Sequence, residues 1–292
     1  MGKPSRNLIF LFSAGYKTSG STIMRGKQLA DIARKFLGSE FAVRYADIRR
    51  DCTNSDVLLT KGALKDLEPV ELERLIKKGN RLYFDPADEI IPDDKVAFAH
   101  VIVAASLCAY DGFSERYHTK PIKLVHHHVD PRVVSRARKF RHSMFRAGYF
   151  GELGNTIRTD GVSQKVDFHN VSTKVQNSRW ITKLSGYSLH YAIRKPRSTD
   201  LFKPFLKGFM AAVCGANIFI QNEEKEAVRW LGEDYPFLLL EEPTEATILE
   251  HLDCIRDSFG SPEWERGLDR MRSIQARIAE VRIAGQLKDM LS

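Results

Sequence analysis

Strand-length apolar runs alternate with helical stretches along the whole chain, and few folds tolerate that alternation. In the first half the runs lie at 7–13, 41–48, 57–60, 81–84, 100–105 and 122–125. Helical spacing of apolar residues follows at 22–37 and 68–78, the second stopped by Gly79. Several runs are apolar throughout, as expected of strands covered on both faces. Strand–helix alternation at this period predicts parallel sheets in an α/β chain.

The pattern restarts. After a basic segment, 147–150 reads as a strand that ends in the turn Gly151-Glu152-Leu153-Gly154, and further strands are expected at 166–170, 186–193, 216–220 and 237–240. Thr244 is placed to cap a helix over 245–259, and 264–291 reads as one last helical region with a broken apolar stripe. The restart puts a domain boundary near 142, with domains 1–142 and 143–292. A chain of 292 residues, 43% apolar, is long enough for two cores.

Charge separates the halves. The formal net charge is +8; residues 1–142 hold 25 Lys+Arg against 17 Asp+Glu, and residues 143–292 hold 20 against 20. The first half therefore suits an anionic partner, whether an acidic acceptor, a membrane surface or a nucleic acid. The densest basic run is 132–141, which reads as a solvated helix or linker, or as a contact with anionic lipid headgroups. No helix-turn-helix, aromatic RNP pattern or zinc spacing accompanies it, so nucleic acid is not expected. Four widely spaced cysteines with no CxxC pair and no signal peptide point to reduced thiols in the cytoplasm. The longest apolar run, 96–109, is too short to span a bilayer as a helix.

Several positions could carry chemistry. The loop after the first strand, AGYKTSGST with Gly15, lacks both GxGxxG and GxxxxGK[ST], which removes the usual fingerprints of dinucleotide binding and P-loop hydrolysis. Asp85 and Asp88 follow the 81–84 strand, where functional groups of parallel sheets gather. Each is open to two readings: a general base or sugar-hydroxyl ligand, or an Asp that caps the following turn. His126, His127 and His128 are adjacent, and consecutive residues of an extended chain point to alternate faces, so they cannot all ligate one ion. No metal site is expected, and one of them, His127 being the central candidate, could line a cleft.

The stretch 188–236 concentrates the remaining signals: the basic residues Arg194, Lys195, Arg197, Lys203 and Lys207, an apolar helical run at 209–213 ending in Cys214-Gly215, and the strand 216–220. Backbone N–H groups and the helix dipole favour an anion where strands end and helices begin. If the 186–193 strand continues, His190, Ala192 and Arg194 share a face. Lys203 and Lys207, at i and i+4, would share a helical face. His190 is equally open to being a core histidine.

From His190 through KPFLKGFMAAVCGANIF to AVRWLGEDYP, the chain resembles the nucleotide-sugar-binding segment of GT-B glycosyltransferases. VHHHVDPR is similar to the end of that family's first domain, with a His in place of the usual Gly, and RAGYFGELGNT to the opening of its second. The resemblance implies two Rossmann-like parallel-sheet domains facing each other across a cleft, the first on the acceptor side and the second on the donor side. It also implies a terminal helix that crosses back to the first domain. In the retaining form of the family a Glu opens the helix run before Cys-Gly; here Met210 stands near that place. Glu226 could match the family's second Glu, near the donor ribose, although Glu223 and Glu224 compete for that role.

The implied activity is transfer of a sugar from a nucleotide-diphosphate donor to a glycan or lipid-linked acceptor, as in polysaccharide biosynthesis. The donor would be a co-substrate, with no cofactor, and the enzyme would be cytoplasmic or peripheral on the inner membrane face. Arg194, Lys203 and Lys207 would hold the departing diphosphate in place of a metal. Gly15, Gly151, His190 and Glu226 would complete the donor site, and Asp85, Asp88 or His127 would serve as base if the reaction inverts. The alternative reading is a non-catalytic nucleotide- or sugar-binding protein on the same scaffold.

Overall fold

The computed structural model describes residues 6–136, 142–171, 179–195 and 201–292. The chain forms two compact units, one made of residues 1–128, 200–204 and 279–292, the other of 129–199 and 205–278. Residues 129–142, counted with the first half by charge, fall in the second unit. Among the described residues no helix is long and apolar enough to cross a membrane.

The first unit runs β1 (Arg6–Phe12), a π-helical turn (Thr22–Gln28), α1 (Leu29–Leu37), β2 (Phe41–Asp47), β3 (Asp56–Thr60), α2 (Lys61–Asp66) and α3 (Pro69–Lys77). It continues through β4 (Arg81–Asp85), α4 (Asp93–Val96), β5 (Val101–Ala104), α5 (Leu107–Arg116) and β6 (Ile122–Leu124). Its sheet is wholly parallel in the order β2-β1-β3-β4-β5-β6. Alternation along each strand divides the core into two layers. Leu8, Phe10, Leu58, Tyr83 and Val103 pack beneath α1, whereas Ile9, Leu11, Val57, Leu59, Phe84 and Ile102 pack with residues of α2, α3 and α5.

The second unit comprises α6 (Pro131–Arg136), β7 (Ala147–Gly151), α7 (Asp160–Lys165), β8 (Val166–Asn170), α8 (Ile181–Leu184), β9 (Leu189–Tyr191) and α9 (Leu206–Val213). β10 (Asn217–Gln221), α10 (Lys225–Leu231), β11 (Leu238–Leu239), α11 (Glu245–Asp257) and α12 (Pro262–Arg277) complete it. Its sheet is also parallel, in the order β11-β10-β9-β7-β8. Thr244 caps α11 by accepting the Thr247 N–H at 3.2 Å.

The expected single helix over 264–291 is two. α12 stops at Arg277, Ala279 is extended (ψ 142°), and α13 (Glu280–Leu291) then belongs to the first unit. Met271 and Ile274 are buried in the second unit, while Ile283, Leu287 and Met290 join the core layer of the first unit with Leu8 and Phe10. The break in the apolar stripe is thus a change of core.

A second short segment also returns to the first unit. Ser106 Oγ donates to the Phe202 carbonyl at 2.9 Å, and the Phe202 ring stacks edge-on to Phe113 at 5.1 Å. Gly112 admits that ring, since a Cβ there would collide with it.

Candidate functional site

In the second unit the carboxyl ends of β7, β9 and β10 converge on Arg194. β9 stops at Tyr191, so the expected shared face of His190, Ala192 and Arg194 does not form. The chain leaves the sheet because Arg194 pairs instead with Thr156 in an antiparallel bridge, and Thr156 Oγ1 donates to the Ile193 carbonyl at 2.6 Å. Gln221, at the end of β10 and buried, completes the hold: its Oε1 accepts the Arg194 N–H and its Nε2 donates to the Arg194 carbonyl, both at 2.9 Å. The Arg194 guanidinium lies 3.3 Å from Glu224. Its backbone is therefore fixed on both sides before any ligand arrives.

Lys207 reaches the same end of the sheet by another route. It lies in the first turn of α9, and its ammonium stands 3.9 Å above the Tyr149 ring. Tyr149 OH donates to the Glu152 carbonyl at 2.8 Å, just past Gly151. A Cβ on Gly151 would sit 2.7 Å from that hydroxyl, so glycine is what lets the tyrosine cross there. Lys203 does not share a helical face with Lys207: α9 begins only at Leu206, and Lys203 lies in the 200–204 segment of the first unit.

Two further expected donor ligands are buried. His190 is 4% exposed, stacked in a tilted contact 5.7 Å from Phe150, and its Nε2 has no hydrogen-bond partner among the described residues. Burial lowers its pKa to about 4, with a smaller contribution from His142 and Lys207. It is a neutral core residue. Glu226 is also buried and accepts the Trp230 indole N–H at 2.8 Å within α10.

The carboxyl end of the first unit's sheet carries the acid and histidine candidates. Asp85 is fully buried, and its Oδ2 accepts Arg25 Nε at 2.8 Å. Its Oδ1 accepts the Ala87 N–H at 3.1 Å, which fixes a turn with Ala87 in the left-handed region (φ 58°). The turn-capping reading holds, and a base with both oxygens so engaged has no route to an acceptor. Arg25, also buried, comes from the π-helical turn and donates to the carbonyls of Val125 (2.8 Å) and His126 (3.1 Å).

His127 is buried beside this pair; burial, then the Arg25 charge, holds its pKa well below the ordinary histidine value. His128 Nε2 meets Gln28 Oε1 at 3.1 Å. Asp88, by contrast, is only half-buried, and Lys61 bridges it at 2.7 Å and Glu89 at 2.8 Å. Burial raises the Glu89 carboxyl, and its bonds to Lys61 and Lys65 more than offset that, leaving it below the usual range. Gly15 is exposed, and an added Cβ would meet nothing closer than 3.9 Å.

Of the basic run at 132–141, Arg132 is bound to Asp130 by a two-nitrogen fork at 2.7–3.1 Å, and 137–141 lie outside the described residues, as do 196–200 with Arg197. Among the described residues no three His, Cys, Asp or Glu side chains are grouped to hold a metal ion. Gln221, Thr156 and Tyr149 are the site residues that sequence reading missed. A glutamine closing the apolar strand NIFIQ was the available signal.

No protein-family model matches the sequence, and no curated protein does. Solved structures do. A glycosyltransferase from Rickettsia africae ESF-5 superposes with a TM-score of 0.66 at 10% identity, covering 98% of this chain and 99% of that one. Anabaena HepE, solved in complex with UDP-glucose, gives 0.61 at 13% identity over 98% and 99%. AviGT4, a glycosyltransferase involved in avilamycin A biosynthesis, gives 0.53 at 14% over 98% and 96%. At such identities the likeness is one of fold: two all-parallel α/β domains of the GT-B type.

Proposed function

We propose that this chain moves a glycosyl group from a nucleotide-diphosphate sugar to an acceptor hydroxyl, with Arg194 and Lys207 neutralising the departing diphosphate. The observation that carries this reading is the Gln221–Thr156 clamp on Arg194. As the bond from the anomeric carbon to the diphosphate oxygen breaks, charge accumulates on that oxygen. Cations already fixed in place stabilise it without reorganising. The acceptor oxygen forms the new bond and loses its proton; if the reaction inverts, Asp88, partly exposed and paired with Lys61 at 2.7 Å, is the carboxylate candidate to take it. Lys203 remains a candidate cation on the first unit, and the resemblance to GT-B glycosyltransferases suggests a glycan or lipid-linked acceptor.

Titration calorimetry with UDP, GDP and CDP, followed by a transfer assay, tests the reading. Lys207→Ala is expected to weaken binding of the preferred diphosphate about tenfold or more, the scale of a charge-assisted contact, and to leave the nucleoside unaffected. Equal losses for both would remove Lys207 from the phosphate site. Sedimentation with liposomes, with and without anionic lipid, tests a membrane role for 132–141; binding that ignores lipid charge counts against it.

A non-catalytic binding protein is the second reading. Met210 in the place of a glutamate and the engagement of Asp85 favour it. Nucleotide binding with neither transfer nor donor hydrolysis would establish it.

A further inference from the structure

One turn serves Arg194 twice. β10 ends at Gln221, and the chain turns back there, the Glu224 N–H donating to the Gln221 carbonyl at 3.3 Å. Gln221 clamps the Arg194 backbone, and Glu224, at the other end of the turn, meets the Arg194 guanidinium at 3.3 Å. The neighbouring acids are placed otherwise: Glu223 is exposed, and Glu226 is buried against the Trp230 indole.

The two contacts differ in kind. The clamp consists of two 2.9 Å bonds made by a buried side chain. The ion pair is looser than the roughly 2.7–2.9 Å of a tight charge-assisted bond. It is also looser than Arg25–Asp85 at 2.8 Å or Arg132–Asp130 at 2.7 Å in the same chain. Its side chains are 18% and 25% exposed, so water can take over the carboxylate when the pair opens. Glu224 stands at the N-cap of α10, yet its side chain makes no capping bond there. The backbone of Arg194 is therefore held firmly and its charge lightly.

A cation that is to stabilise a departing diphosphate cannot give its charge to a carboxylate at the same time. We propose that Glu224 is the resident counter-ion of this site: it holds Arg194 while no donor is bound and competes with the nucleotide's diphosphate for it. The inference rests on the reading of Arg194 as a phosphate ligand. Glu224 is then a positioning residue that acts through Arg194, not a contact to the donor ribose. The two roles have opposite signs, since removing a ribose ligand weakens binding and removing a competitor strengthens it.

Calorimetry on the full chain with UDP, GDP and CDP identifies the preferred diphosphate, and the matching nucleoside serves as control. Glu224→Gln, which keeps the size and removes the charge, is expected to tighten diphosphate binding about three- to tenfold and to leave the nucleoside within about twofold. Arg194→Gln by itself should weaken the diphosphate about tenfold. In the Arg194→Gln background, Glu224→Gln should change diphosphate affinity by less than about twofold, which a carboxylate acting on the ligand directly would not show. Weaker binding of both ligands to Glu224→Gln would overturn the proposal in favour of a ribose contact. An unchanged diphosphate affinity, or a gain that survives the loss of Arg194, would overturn it as well; in these cases the effect of Arg194→Gln still supports the transfer reading. Absent diphosphate binding, or binding indifferent to Arg194→Gln, would overturn the inference and the phosphate role of Arg194 together.

Discussion

Replacing Arg25 with methionine is expected to destabilise the first unit by about 3–5 kcal/mol, because it leaves the Asp85 carboxylate in the interior without its counter-charge. Both side chains are essentially inaccessible, at 1% and 0% exposure. The loss exceeds that of an ordinary ion pair for a structural reason. The same guanidinium also donates to the Val125 and His126 carbonyls, so its removal strands acceptors on β4 and past β6 together. Urea unfolding of the full chain, followed by a probe in the first unit, measures it. The double variant Arg25→Met with Asp85→Asn should recover part of the loss, since a neutral side chain no longer needs the cation while its oxygen can still accept from Ala87. A single-variant loss under about 1 kcal/mol would mean that water reaches the carboxylate and that the pair is not buried as described.

The second large effect is acid lability of the second unit through His190. An unfolded histidine titrates near 6.5, whereas the folded one is held at about 4, so between those values the unfolded state binds the extra proton. Stability is therefore full above pH 6.5 and falls as pH drops toward 4. The difference amounts to about 3 kcal/mol for this one group. Burial also lowers His142 and His169 in the same unit, which adds to the effect in the same direction. Carboxylates contribute their own acid dependence, so the informative quantity is the difference between the parent and His190→Phe. The variant should lose the parent's slope between pH 6.5 and 4; parallel profiles would show that His190 is hydrated when folded.

These two residues also show where sequence reasoning reached its limit. Asp85 at a strand's carboxyl end is a sound place to look for a base, and the sequence offers no sign that Arg25, sixty positions earlier, occupies it. The arginine arrives because the π-helical turn carries it over the sheet's end. His190 lies among basic residues in sequence, but alternation along β9 turns it toward Phe150 and the interior. Lys203 and Lys207 illustrate a third limit. Four residues apart, they belong to different units because Phe202 anchors the 200–204 segment against Ser106 and Phe113.

What local pattern could determine, it did: strand and helix alternation, continuous apolar strands and the Thr244 cap follow from the periodicity of burial and from short-range hydrogen bonding, so both parallel sheets are legible in one chain. The tertiary structure decided which polar side chains are left with work to do. That depends on partners distant in sequence, as with Gln221 clamping Arg194, Arg25 silencing Asp85 and α13 leaving one core for another. Desolvation is the physical reason: a buried charge or amide must find a partner wherever the fold places one, and periodicity carries no record of that choice.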